Sequence, residues 1–113
     1  MVADDDAAIV DVLQIMLEDA GFTVDTYAQG QPVKNMQAPF PDLVLLDILL
    51  SGMDGRAICR YLKDQPATRH IPIILLSAHT DAEQTAIGAG ADAFLAKPFD
   101  IDDLLDLIEK FLR

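Results

Sequence analysis

The stretch Pro41-Asp42-Leu43-Val44-Leu45-Leu46-Asp47-Ile48-Leu49-Leu50-Ser51-Gly52-Met53-Asp54-Gly55 decides the fold. Its first half is an unbroken aliphatic run, Leu43 to Leu46, that ends on a carboxylate. A short continuous apolar run bounded by turn residues reads as a strand buried on both faces, as in a parallel sheet. Asp47 then sits where strand gives way to loop. In open α/β sheets the carboxyl ends of the strands form the edge where ligands bind. One aspartate there says little unless other segments bring complementary groups to the same edge.

Working outward, the chain alternates strand and helix signals. Upstream, Met1-Val2-Ala3 is a short apolar start that runs into Asp4-Asp5-Asp6. Ile9, Val12, Leu13, Met16, Leu17 and Ala20 then recur at helical spacing, with Asp6 as N-cap and Gly21 just past the end, so residues 7–20 are predicted helical. Residues 22–27 alternate and are β-rich, which predicts a strand. Residues 31–36 give a short helix at best, broken by Pro39 and Pro41 before the strand over 42–47. Downstream, residues 56–64 place Ala57, Ile58, Tyr61 and Leu62 on one helical face. Residues 71–76 form the second strongly apolar strand, with Pro72 necessarily near its start because a central strand needs its N–H groups. A small-residue helix over 81–89, a strand over 93–96 and a last helix follow. Asp100 or Asp102 caps that helix, and Ile101, Leu104, Leu105, Ile108 and Leu112 form its inward stripe. Leu107 and Phe111 lie off the stripe, either at its margin or on a partner face.

Five strands alternating with five helices predict one α/β domain over 1–113, a doubly wound parallel sheet covered on both faces. No internal repeat or linker is present, and no output domain is expected within this chain. Gly88-Ala89-Gly90 follows a helix and precedes a strand, the reverse of what a phosphate-cradling loop needs.

Composition narrows the function. A 51% hydrophobic content excludes a disordered chain. No apolar run nears the ~20 residues of a membrane span, and no signal peptide opens the sequence. With one cysteine, Cys59, an internal disulfide is ruled out, and the cytoplasm is the expected location. Cys59 reads as a small buried residue. The net charge of −11 argues against nucleic acid or anionic lipid as a direct partner, because both bind through Lys and Arg. Acidity suits a divalent cation or a basic protein surface, although most of the 19 acidic residues serve solubility.

In a parallel sheet every βα junction lies at one edge. Those junctions carry Asp4-Asp5, Asp47, Ser77-Ala78 and Lys97-Pro98. Clustered carboxylates raise one another's pKa unless a cation lies between them. Oxygen ligands of this kind select a hard ion such as Mg²⁺. A hydroxyl and an ammonium beside it could bind phosphoryl oxygens, and an aspartate so placed could attack phosphorus to give an acyl phosphate. Each group alone has an ordinary reading: an acidic helix cap, a loop cap, a structural hydroxyl, a surface lysine. Four at four strand ends make coincidence improbable.

Asp4-Asp5, Asp47, Ser77-Ala78 and Lys97-Pro98-Phe99, in this order and spacing, resemble the receiver domains of two-component response regulators, over essentially the whole chain. The resemblance implies a flavodoxin-like sheet of order 2-1-3-4-5. It implies that Asp47 accepts a phosphoryl group from a sensor histidine kinase or histidine phosphotransfer protein. Asp5, Asp47 and the Leu49 carbonyl would ligate Mg²⁺ or Mn²⁺, with Asp4 acting through water. Ser77 and Lys97 would hold the phosphoryl oxygens, and the Lys97–Pro98 bond would be cis. Ser77 and Phe94 would form the switch that remodels the face of the fourth helix, last strand and last helix. That face would serve a downstream protein target, an attached output domain or a second copy in a homodimer.

The sequence departs from the family in three places. Ser51 stands where proline is usual; Phe94 lacks the hydroxyl of the frequent tyrosine. Family members carry several more residues before Val2, so the leading halves of the neighbouring strands would lack a partner, which suggests a trimmed start. Two other readings compete. An aspartyl-phosphate phosphatase would want a second acid two residues past Asp47, where Leu49 stands, and a non-phosphorylated pseudo-receiver would not need an intact site. His79, near the site mouth, reads as a solvated loop residue or as a group affecting water access.

Overall fold

The computed structural model describes residues 1–50, 52–79 and 82–112. Its elements are β1 (Val2–Ala3), α1 (Ala7–Asp19), β2 (Thr26–Tyr27), α2 (Gly30–Lys34), β3 (Val44–Asp47), β4 (Leu49–Leu50), β5 (Met53–Asp54), α3 (Gly55–Asp64), β6 (Ile73–Ser77), α4 (Glu83–Gly88), β7 (Ala93–Ala96) and α5 (Ile101–Leu112). Among the described residues, five strands form a parallel sheet in the order β2-β1-β3-β6-β7. That is the doubly wound, flavodoxin-like order expected. β3 lies at its centre, pairing Leu45 with Val2 on one side and with Ile74 on the other.

Alternation along the two apolar strands builds both cores. Leu43, Leu45, Ile74 and Leu76 face α1 and α5, where they join Leu13, Leu17, Leu104 and Ile108. Val44, Leu46, Ile73 and Leu75 face the opposite side and join Val33, Ile58, Cys59, Leu62 and Ala86 of α2, α3 and α4. Successive side chains of a strand point to opposite faces, so one run of aliphatic residues serves two helical layers. Each Leu or Ile so buried contributes about 1.5–3 kcal/mol.

The helix ends follow the sequence. Asp6 caps α1 by accepting from the Ala8 and Ile9 amides, and Gly21 beyond it adopts φ +99°. Asp54 caps α3 through the Arg56 amide. Pro72 lies just before β6, where no ladder N–H is required, and its carbonyl accepts from Val44.

Several expectations change. The strand expected over 22–27 is reduced to Thr26–Tyr27, because β1 offers only two residues to pair with. In front of them lies a cavity of about 430 Å³, lined among others by Val24, Asp25, Pro41 and Leu43. The Met1 ammonium donates to the Leu43 carbonyl there at 3.0 Å, and burial pushes its pKa down. The loop after Asp47 does not simply turn away. It doubles back as an antiparallel hairpin, with Leu49 opposite Asp54 and Leu50 opposite Met53. On α5, Leu112 is exposed rather than inward, while Leu107 and Phe111 pack against the α1–α5 core. The start of the small-residue helix at Asp81 and the Ser51 position both lie outside the described residues.

Candidate functional site

The sheet order carries three acidic groups to one place. Asp47 ends the central strand, and β1 beside it delivers Asp4 and Asp5 one and two residues past its own end. Carboxylate oxygens of Asp4, Asp5 and Asp47 all lie within 4.8 Å of one another. Asp4 and Asp47 are buried and Asp5 is exposed. On the other side, β6 ends at Ser77, opposite Ala96 of β7, and the Lys97 amide donates to the Ser77 carbonyl at 2.8 Å. This pairing starts the Lys97 side chain at the same edge, and its ammonium crosses to the acids.

The Lys97 Nζ donates to Asp4 Oδ2 at 2.7 Å and to Asp47 Oδ2 at 3.2 Å. The other oxygens are also engaged: Asp4 Oδ1 accepts from the Asp6 amide at 2.9 Å, and Asp47 Oδ1 accepts from the Leu49 amide at 3.3 Å. Burial and the Asp4 charge push the Asp47 carboxyl above its ordinary range, outweighing Lys97 and the Leu49 amide, which pull it down. Burial would lower the Lys97 ammonium, but its hydrogen bonds and charge contacts with Asp4 and Asp47 prevail and raise it. Asp47 is therefore an uncomfortable anion, held beside a cation that stays charged.

Ser77 is buried, and its Oγ accepts from the His79 amide at 3.0 Å. Leu49 brings its backbone against Asp47 while its side chain is exposed. The Lys97–Pro98 bond is cis, and so is Ala38–Pro39. Phe94 does not join this cluster. It pairs with Leu75 two rows back from the edge, half-buried against the core that contains Ala86 of α4.

Two features escaped the sequence. The first is the fit of Gly55, whose N–H donates to the Ile48 carbonyl at 2.7 Å and whose position leaves no room for a Cβ beside the Asp47 carbonyl oxygen. A glycine after Asp54 signals a turn, not a close approach to another strand. The second is that Lys97 makes its shorter contact with Asp4, across 93 positions of sequence; no local pattern encodes it.

The oxygen-only donor set of Asp4, Asp5 and Asp47 fits a hard divalent cation. The same arrangement can present Asp47 to an electrophile with a buried hydroxyl and an ammonium at hand.

The chain matches the family described as response regulator receiver domain over residues 1–109. The phosphate regulon transcriptional regulatory protein PhoB of Rhizobium meliloti is 36% identical, over 99% of this chain and 51% of that protein. The chain spans about half the length of the curated relatives it matches. The receiver domain of a signal transduction histidine kinase from Syntrophus aciditrophicus superposes with a TM-score of 0.89 at 32% identity, covering 98% of this chain and 86% of that one. A receiver domain of a sensor histidine kinase from Pseudomonas aeruginosa, solved with a magnesium ion coordinated in its active site cleft, gives a TM-score of 0.84 at 26% identity, covering 98% and 93%. With its sheet order, its acidic edge and these likenesses, the chain belongs to the receiver domain family of two-component response regulators.

Proposed function

We propose that this domain accepts a phosphoryl group on Asp47 from a phosphohistidine of a sensor kinase or phosphotransfer protein. The observation that carries the proposal is the meeting of Asp4, Asp5 and Asp47 with Lys97 at the end of the central strand. An Asp47 carboxylate oxygen attacks phosphorus. The O–P bond forms, the N–P bond breaks, and the imidazole leaves with the electron pair. Attack needs the ionised carboxylate, and Lys97 favours that form against burial and Asp4. Lys97 and Ser77 then donate to phosphoryl oxygens, so Lys97 gives up part of its contact with Asp4.

Asp5, Asp47 and the Leu49 carbonyl would hold Mg²⁺ or Mn²⁺, with Asp4 behind them through water. A divalent ion held there would supply positive charge to offset that on the transferring group. The magnesium site of the Pseudomonas aeruginosa relative supports this assignment. Leu49, two residues past Asp47, offers no acid or base for fast turnover, so the domain is a signalling module rather than a phosphatase.

The output is a change in the face made by α4, β7 and α5, in which Phe94 repacks toward space left by Ser77. α4 suits the part, since its described buried residue is Ala86 and Ile87 is exposed. That face serves a downstream protein, an attached output domain or a second copy. At −11 the domain itself offers little to nucleic acid. No described helix is long and apolar enough to cross a membrane; a cytoplasmic location is part of this proposal.

Incubation with acetyl phosphate and Mg²⁺, followed by intact mass, tests the proposal. A phosphate adduct on the wild type that is absent in Asp47→Asn is expected. An unchanged mass, or an adduct that persists in Asp47→Asn, would overturn it.

A further inference from the structure

Three elements meet at one guanidinium some way from the phosphoacceptor. Arg56, in the first turn of α3, forks onto Asp54 with Nε at 3.0 and 3.2 Å and Nη2 at 2.6 Å from the carboxylate oxygens. Its Nη1 points the other way and donates to Thr85 Oγ1 of α4 at 2.9 Å. Thr85 Oγ1 passes the bond on to the Ala82 carbonyl at 2.9 Å, where α4 begins. Asp54 in turn sits opposite Leu49 in the hairpin, and the Leu49 amide binds Asp47. A continuous path thus runs Asp47, Leu49, Asp54, Arg56, Thr85.

An isolated surface ion pair contributes little. Two features lift this one. The planar fork on Asp54 fixes the direction of Nη1, so little rotamer freedom remains to be lost on bonding Thr85. The helix it reaches is also weakly anchored: α4 has six residues, and the described part of it buries only Ala86. The caps Ala82 and Ala89 are buried beside it, but all three side chains are small, so one directed bond adds to what locates that helix.

We propose that Arg56 is the strut that makes the position of α4 depend on what happens at Asp47. The inference rests on Asp47 as phosphoacceptor and adds a route along the hairpin, separate from the Ser77–Phe94 switch. Coupling of this kind is reciprocal, so holding α4 also biases the hairpin.

Backbone amide chemical shifts over residues 83–88, with and without beryllofluoride and Mg²⁺ as an acyl-phosphate mimic, test it in the wild type, Arg56→Gln and Thr85→Val. In the wild type the α4 amides should shift on loading. In either variant that shift should fall at least threefold, and the double variant should lose no more than the single ones, because both remove the same bond. Shifts at Asp47 and Leu49 should still report loading, and unchanged amide dispersion should show that the variants fold. An α4 response retained in full in both variants would overturn the strut. A wild type whose Asp47 and Leu49 amides do not respond at all would overturn the phosphoacceptor reading and the strut with it.

Discussion

Lys97 is bonded more closely to Asp4 than to Asp47, with Nζ–O distances of 2.7 and 3.2 Å. Asp4 is wholly buried at its side chain, and Lys97 is half-buried. The lysine is therefore a structural counter-ion to Asp4 first, and holding phosphoryl oxygens is its proposed second role. Removing it leaves two buried carboxylates facing each other. Lys97→Met should cost about 1–3 kcal/mol, less than the penalty for stripping one partner from a fully buried pair because Lys97 keeps contact with water. Urea denaturation in EDTA measures the loss, and Mg²⁺ should restore part of it. Equal stability to wild type in EDTA would show that the pair is solvated.

The raised pKa of Asp47 has a definite sign in stability. The folded carboxyl holds its proton more tightly than the unfolded chain does, so ionised Asp47 opposes folding at neutral pH. That cost disappears as pH falls through the folded pKa. Asp47→Asn should therefore raise Tm at pH 7 in EDTA, and the gain should shrink in acid. Lys97 acts oppositely. Its raised pKa gives stability that is fully present below its unfolded value and is lost as pH rises through the folded one. Tm against pH for wild type and Asp47→Asn checks both directions.

Gly55 should tolerate no side chain. The collision of a Cβ would be with the Asp47 backbone itself, so neither rotamer change nor side-chain movement can relieve it. Gly55→Ala should unseat the hairpin and slow labelling by acetyl phosphate at least tenfold, while Gly88→Ala, which meets open space, should label like wild type. Labelling rates from intact mass decide this.

Asp92 closes the far end of the sheet. Its Oδ2 accepts from the Ile73 amide at 2.8 Å and from Lys63 Nζ at 2.7 Å, and that ammonium also reaches the Ile71 carbonyl. Asp92→Ala would leave the Ile73 amide without this acceptor at the entry of a buried strand. A loss of about 1–3 kcal/mol is expected by urea denaturation.

Cys59 is fully buried, and burial pushes its thiol pKa up to about 11. Thiolate, the reactive form, is scarce at neutral pH. Labelling by a thiol reagent should then be slow in the native state and track global unfolding across a urea series. Rapid native labelling would place Cys59 in a locally opening segment.

The sheet was legible because its signal is strong: Leu43 to Leu46 and Ile73 to Leu76 are aliphatic throughout, and periodicity reveals the helices between them. The site was legible because parallel topology sends every strand end to one edge, so Asp4, Asp5, Asp47, Ser77 and Lys97 could be placed without coordinates. What stayed hidden depends on distances between segments. Hairpin pairing of Leu49 with Asp54 has no alternation to announce it, since each strand is two residues long. The exposure of Leu112 in place of Phe111 reflects how α5 is rolled on the sheet, which a stripe over one helix leaves undetermined. Arg56 looked like an ordinary helix residue; its meaning comes from Thr85, 29 positions on.

Asp47 ends a strand that is bonded on both sides, to β1 and to β6. Its backbone is paired with Leu76 of β6, one residue past the Ala3–Leu46 pairing with β1, and the strand behind it is packed between two layers of aliphatic side chains. Chemistry at this residue cannot displace its own root. It can only pull on what hangs over the edge: the hairpin, the Ser77 loop and the Lys97 side chain. The central strand is thus the fixed side of the site, and the segments that hang over its edge are the side left to respond.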